Sequence, residues 1–309
     1  MSHASKLSIL HDRALMFRAV RDFFAARNVL EVDTPLLSPF APIDVHIDIL
    51  ETEAIAQQTG YLHSSPEYGM KKLLAMGSPD IFQLSHVYRQ GEIGPKHQIE
   101  FSMIEWYRSH FSFAQLIEET YQLCLLFLDN LPLETLRYAE AFQKTHSLDP
   151  FSCSLQELRA RSCELGLESP LEEKESYLTF LWDAVENSLG DHCITCVTHF
   201  PGSQAALAKT TTENGINYAS RFELYHKGIE LANGYHELTD PLEQKHRFVL
   251  ANQKRVALGK KPLPIDEELL QALKLLQNQD FFGVAVGFDR LMMLRHKTME
   301  IRDILPLCW

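Results

Sequence analysis

Between residues 11 and 28 apolar side chains return every three to four positions. Leu15, Ala19 and Phe23 share one face, which predicts an amphipathic helix. The rhythm then changes: VLEVDTPLLSP reads as a strand, with Pro35 ending regular pairing or sitting at an edge. Ser65-Pro66-Glu67 ahead of YGMKKLLAMG predicts a helix start, with Ser as N-cap and Pro at N1. IFQLSHVYR (81–89) and IEFSMIEWYR (99–108) read as strands joined by a polar loop containing Gly and Pro, a long-looped antiparallel hairpin. Ser112 caps the next helix. The middle, from about 133 to 190, reads as mostly helical, with Ser154 and Glu157 forming a capping box and no legible chemistry. Strands return at 193–200, 221–226 and 229–238, followed by helices at 245–259 and 266–277. A last strand, FFGVAVGF, runs into the helix DRLMMLRHK. The sum is one α+β domain spanning 1–309, an antiparallel sheet flanked by helices.

Composition narrows this only slightly. At 309 residues, 45% hydrophobic and 23% charged, the chain is an ordinary globular protein with ample core material. Its longest apolar runs are too short to cross a bilayer, and the first residues show no secretory signal, so the expectation is a cytoplasmic protein with no membrane contact. A net charge of −12 without any block of basic residues argues against stable nucleic-acid binding. Six cysteines are scattered along the chain, unlike a secreted disulfide framework. His192-Cys193, Cys196 and His199 have zinc-like spacing. CITCVTHF also reads as a buried strand, and core cysteines are the preferred reading.

The polar content of GIELANGYHELTDP (228–241) is high for a strand. Alternation puts Asn233, Tyr235 and Glu237 on one face; Glu230 joins them only if the chain bulges, with Asn233-Gly234 the expected place. Glu223, on the preceding strand, is expected to face Glu230 across the turn HKG. Two facing carboxylates either repel and raise a pKa or share a cation such as Mg²⁺; the other reading is a solvated hairpin face. Arg89 ends one strand, and Arg290 follows Gly287 at a strand-to-helix turn. A planar guanidinium suits phosphate, although each Arg alone reads equally as a surface ion pair. No P-loop or Rossmann glycine motif is present.

VLEVDTPLL, the hairpin YRQGEIGPKHQIEFSMIEWY and GVAVGFDRLMM resemble, in order, motifs 1, 2 and 3 of the class II aminoacyl-tRNA synthetases. SSPEYGMKKLL, EFSMIEWYR and GIELANGYHELTDP resemble the lysyl branch of that family, and the likeness covers nearly the whole chain except the helical middle. The first helix is expected to start within about ten residues of Met1, so the expectation is a chain without the anticodon-binding domain of lysyl-tRNA synthetases. A core of this kind is similar to the family of elongation factor P–lysine ligases, which adenylate (R)-β-lysine and attach it to a lysine of elongation factor P.

The resemblance implies roles for residues. It gives Glu237 the substrate's distal ammonium, with Tyr107 and Glu105 beside it, and Glu67, with Ser65 and Pro66, the other amino group. Asn233 orients the carboxylate end. ATP falls to Arg89 at the α-phosphate, Arg290 at the γ-phosphate, Leu231 against the nucleotide and Gly287 under adenine, and Mg²⁺ to Glu223 and Glu230. The loop departs from the lysyl pattern: Gln90, Gly91, Glu92 and Gln98 stand where R-N-E and H-N-P-E-F are usual, so Gln90 and Gln98 are expected to hydrogen-bond the nucleotide and Glu92 to replace the missing Glu. The resemblance also implies a homodimer through motif 1. Alternatives are a stand-alone core that charges tRNA, an asparagine synthetase of the same fold, and a non-catalytic regulatory paralogue. An asparagine enzyme needs a cation facing the substrate side chain, and a regulatory paralogue is free to lose Arg89, Arg290 or Glu230, all present here.

Overall fold

The computed structural model describes residues 3–53 and 58–307. The chain divides into two compact units, Met1–Asp129 with His236–Trp309, and Asn130–Tyr235. The first opens with α1 (His3–Ala25), β1 (Leu30–Glu31), β2 (Leu37–Ser38), β3 (Glu51–Glu53), β4 (Thr59–Leu62) and α2 (Glu67–Ala75). It continues with β5 (Ile81–Tyr88), β6 (Glu100–Ser109) and α3 (Phe113–Cys124). The second holds β7 (Leu133–Arg137), α4 (Tyr138–His146), α5 (Leu155–Glu164), α6 (Lys174–Glu186), β8 (Ile194–Pro201), β9 (Thr210–Glu213), β10 (Ile216–His226) and nearly all of β11 (Ile229–His236). The chain returns to the first unit at His236 and adds α7 (Pro241–Ala257), α8 (Glu267–Leu276), β12 (Phe281–Gly287), α9 (Phe288–Arg295) and α10 (Ile301–Ile304). No helix among the described residues is long and apolar enough to cross a membrane.

In the first unit, β5 and β6 form the foreseen antiparallel hairpin, β12 pairs antiparallel with β6, and β1 adds a short parallel edge. The period-2 alternation of β6 gives this sheet two distinct faces. Even-numbered Ile104 and Trp106 are fully buried, and Phe24 of α1 stacks 4.3 Å from Phe82 and lies 5.2 Å from Trp106. Odd-numbered Met103, Glu105 and Tyr107 point to the opposite face, beside Gln83 and Ile81 of β5 and Ala285 and Gly283 of β12. There α2 packs, with Met70 and Leu74 against Ile81, Tyr107 and Phe281.

The second unit is built on β7 running parallel to β8, then β10 antiparallel to β8, with β9 and β11 antiparallel to β10. Its core gathers Tyr138, Phe142, Leu181, Trp182 and Phe200, with Tyr138 and Trp182 stacked 4.1 Å apart. Helices α4 to α6 confirm the helical reading of the middle, but Leu133–Arg137 is a strand and not helix. Its LETLR sequence carries only alternating apolar positions, too few to distinguish it from a helical turn without its partner β8.

Three local expectations change. The buried stripe of α1 runs through Ile9, Met16, Val20, Phe23 and Phe24, whereas Leu15 is 58% exposed. Motif 1 yields only the two-residue strands β1 and β2. Pro66, not Ser65, is the N-cap residue of α2, and Ser65 instead accepts a hydrogen bond from the Glu67 amide at 3.0 Å. Ser112 and Ser154 cap α3 and α5 as foreseen, Ser154 in the expected capping box with Glu157 and Ser112 in a further one with Gln115. Asp240, one of the three carboxylates of the polar strand segment, is the N-cap of α7, accepting from the Leu242 and Glu243 amides.

Candidate active site

Three carboxylates from three parts of the first unit converge on the front of its sheet. Glu67 opens α2, Glu105 sits in β6, and Glu237 is held beside the start of β12 by its amide, which donates to the Phe281 carbonyl at 2.9 Å. All three are buried. The Ser65 hydroxyl and the Tyr107 hydroxyl each donate to Glu105, both at 2.8 Å. Lys71, one helical turn after Glu67, places its Nζ 2.5 Å from Glu67 Oε1 and 2.6 Å from Glu237 Oε2. Gly283 makes the arrangement possible: a Cβ there would lie 2.4 Å from Glu237 Oε1 and 2.4 Å from the Tyr107 ring.

The electrostatics follow from the burial. Desolvation, joined by the charge on Glu67, pushes Glu105 up to about 8 against its two hydrogen-bond donors. Burial pushes Glu237 up to about 7, with Lys71 pulling it down and Glu67 pushing it up. Burial alone lowers the Lys71 ammonium, but Glu237 and Glu67 outweigh it and hold its pKa above the ordinary value. The Tyr107 phenol is raised well above its usual range by burial and by Glu105, so it stays a hydrogen-bond donor. Once all three carboxyls are ionised, they stand against one ammonium and leave two negative charges in a buried pocket. That is a receptor for cations.

The same sheet face carries Arg89 just past the end of β5, where its amide continues the ladder to the Ile99 carbonyl. Its guanidinium lies over Phe101 at 5.1 Å, and its buried Nε has no hydrogen-bond partner. Glu92 stands 3.8 Å from Arg89; although burial opposes it, His97, Arg89 and Arg290 together hold this carboxyl below its usual range. Both Arg89 and Arg290 therefore act electrostatically on Glu92. Arg290 is positioned by its neighbour Asp289, whose carboxylate accepts from Arg13 of α1 and, at 2.6 Å, from the Ser102 amide of β6. Gly287 pairs with Met103 on the front face. In the motif 2 loop Gln90 is exposed, Gln98 is half-buried and Gly91 takes a left-handed conformation at φ 78°.

In the second unit β10 and β11 form a hairpin whose turn, Lys227-Gly228, has positive φ at both residues, the geometry that matches strand twist. The predicted bulge exists but lies earlier than Asn233-Gly234. Leu224 pairs with Ala232 and Tyr225 with Glu230, so Leu231 is the extra residue. This restores the parity of Glu230: Glu223, Tyr225, Glu230 and Asn233 share one face, with Glu223 directly opposite Asn233 and not Glu230. Gly234 stays in regular register opposite Phe222 and is tightly packed there, a Cβ coming within 2.2 Å of the Phe222 ring. Glu223 is held by Arg221 and Tyr225, and burial together with Glu230 raises its pKa while Arg221 opposes. Leu231 is buried, and Asn233 Oδ1 is buried without a hydrogen-bond partner.

The sequence reading missed Lys71, Gly283 and Asp289. Lys71 was legible as an i+4 partner of Glu67, but its second partner, Glu237, lies far away in sequence. Of the residues with zinc-like spacing, Cys196 is buried in β8, where desolvation pushes its thiol up to about 12, and His192 is exposed.

The chain belongs to the class II tRNA synthetase family, the D, K and N group, whose family model matches residues 1–308. Within it the chain is similar to elongation factor P–(R)-beta-lysine ligases. It is 44% identical to that of Haemophilus influenzae (strain PittGG) over 301 residues, covering 95% of this chain and 92% of the relative. The ligase of Avibacterium paragallinarum is 42% identical over 308 residues, covering 97% and 95% of the two chains. That of Salmonella arizonae is 42% identical over 302 residues, covering 95% and 92%.

Proposed function

We propose that this chain is an ATP-dependent ligase that activates (R)-β-lysine, or lysine, as an acyl-adenylate and transfers it to a lysine of elongation factor P. The names of its relatives supply the partner and the amino acid. The observation that carries the reading is the buried cluster of Glu67, Glu105 and Glu237 around a single Lys71. Fully ionised, it carries two negative charges, which match an amino acid with two ammonium groups. An aspartate- or asparagine-forming site needs spare positive charge, and Lys71 is already bound by two carboxylates.

A substrate carboxylate oxygen attacks the α-phosphorus of ATP in line, and the bond to the bridging oxygen breaks to release pyrophosphate. The ε-amine of the acceptor lysine then attacks the acyl carbon of the adenylate, forming the amide, expelling AMP and losing a proton. No protein nucleophile takes part. Arg89 neutralises charge at the α-phosphate and Arg290 at the γ-phosphate; positioning and preorganised charge do the rest. Glu237 with Tyr107 and Glu105 receives the distal ammonium. Glu67, with Ser65 and Pro66, receives the other amino group. Asn233 orients the carboxylate end, its unpartnered Oδ1 supporting a ligand role. Gln90, Gly91, Gln98, Leu231 and Gly287 contact the nucleotide. Glu223 and Glu230 are hard oxygen donors whose mutual repulsion a divalent cation relieves, so they fit Mg²⁺, which supplies further neutralisation of phosphate charge. The protein works in the cytoplasm as a homodimer, a reading supported by Leu7 and Leu15 standing 59% and 58% exposed on α1.

The test is ATP–pyrophosphate exchange with (R)-β-lysine, (S)-β-lysine, L-lysine and aspartate in parallel, followed by mass measurement of elongation factor P. Exchange with a lysine-type substrate and a mass gain of one lysyl group on the acceptor are expected. Exchange driven by aspartate, or by none of the four, overturns the proposal.

A further inference from the structure

Lys71 is a group that neither the relatives' names nor the expected substrate contacts account for. Its side chain is 3% exposed, and it spends its ammonium on one oxygen of Glu67 and one of Glu237, leaving the second oxygen of each to other partners. It is anchored one turn from Glu67 on α2, whose neighbouring Lys72 is turned to Asp266, the N-cap of α8, and to Glu268 within it. The groups facing the cluster are Glu67 and Lys71 from α2, Ser65 ahead of it, Glu105 and Tyr107 from β6, and Glu237 after β11. Without Lys71 that set contains three carboxylates and no cation. With it, a dication brings the pocket to neutrality.

We propose that Lys71 is a specificity-determining and positioning residue that stays bound to Glu67 and Glu237 in the loaded site and sets the charge of the pocket to match two substrate ammonium groups. This deepens the ligase reading and rests on it for the identity of the substrate. Loading completes the ionisation of the cluster: as two ammonium groups enter, Glu105 gives its proton to solvent and Glu237 loses the remainder of its own. The free protein holds those protons because burial raises both carboxyls, to about 8 and about 7. The affinity for a diammonium substrate accordingly rises with pH through that range and then levels.

Two readouts test Lys71, one with substrate and one without. In exchange kinetics near neutral pH, Lys71→Met is expected to raise KM for the diammonium substrate about 10- to 100-fold, because carboxyls without the ammonium hold their protons more tightly and must give them up on loading. The same variant is expected to move the levelling point of log(1/KM) upward by about one pH unit or more. Lys71→Arg keeps the charge and is expected to keep the wild-type levelling point. In the ligand-free protein, ¹³C-carboxyl titration of labelled glutamates is expected to show Glu237 titrating higher in Lys71→Met than in wild type. Should Lys71→Met not fold, the Glu67→Gln/Lys71→Met protein preserves the net charge and is expected to fold, with Glu237 titrating closer to wild type. A Lys71→Met or double variant whose Glu237 titration or levelling point contradicts these shifts overturns the proposal and leaves Lys71 a structural ion pair. If wild type shows no diammonium-dependent exchange while the titration shift appears, the ligase reading fails and the charge-setting role of Lys71 stands.

Discussion

At the scale of single residues, the account rests on carboxylates kept where water cannot reach them. Glu105 and Glu237 ordinarily titrate near 4.5, yet in the folded chain they hold protons to about 8 and about 7. Between those limits the folded form binds more protons than the unfolded chain, so stability falls as pH rises from about 5 to about 8. Thermal unfolding of the ligand-free protein at pH 6 and pH 8.5 is expected to show the lower midpoint at pH 8.5, and a diammonium ligand is expected to stabilise more at the higher pH. Equal midpoints contradict the assignment. Glu237→Gln removes one anchor for the distal ammonium and is expected to raise KM about 10- to 100-fold in exchange kinetics. Arg290→Ala is expected to lower exchange by about two orders of magnitude or more while the fold is kept, since Asp289 ties α9 to β6 and α1. Glu237 stood out in the sequence as a polar position of a strand, whereas the roles of Glu67, Glu105 and Tyr107 were visible only because motif resemblance singled them out. Lys71 was not, because nothing local shows that its ammonium bridges two carboxylates 170 positions apart along the chain.

At the scale of elements, what was legible depended on period. The β5–β6 hairpin and β12 were read correctly because apolar alternation and a polar loop specify both strands and their faces. β7 was read as helix because its identity comes from pairing with β8 and not from its own pattern. The bulge needed for Glu230 was foreseen, but its place was not: Gly234 looked suitable because glycine tolerates irregular backbone, yet that glycine is required by the Phe222 ring, and the extra residue is Leu231. Gly283 has the same kind of role in β12. Gly283→Ala drives a methyl into Glu237 and Tyr107, and is expected to lower the unfolding midpoint and abolish amino-acid-dependent exchange. An alanine variant with normal kinetics contradicts the placement of Glu237.

At the scale of the whole molecule, the α+β class was legible from the order of elements, while the division into two compact units was not, since residues 130–235 carry no linker of distinctive composition at either end. A net charge of −12 and the exposed Leu7 and Leu15 on α1 give two further expectations. Light scattering is expected to report a dimer, and Leu15→Glu to shift it toward monomer; a monomeric wild type removes that reading. The most direct test of the central claim compares two amino acids that differ only in the distal ammonium. In ATP–pyrophosphate exchange, (R)-β-lysine is expected to exceed (R)-3-aminohexanoic acid in kcat/KM by about 10⁴-fold, because the analogue leaves buried carboxylates unpaired. Comparable values for the two would show that the three glutamates do not read a second positive charge.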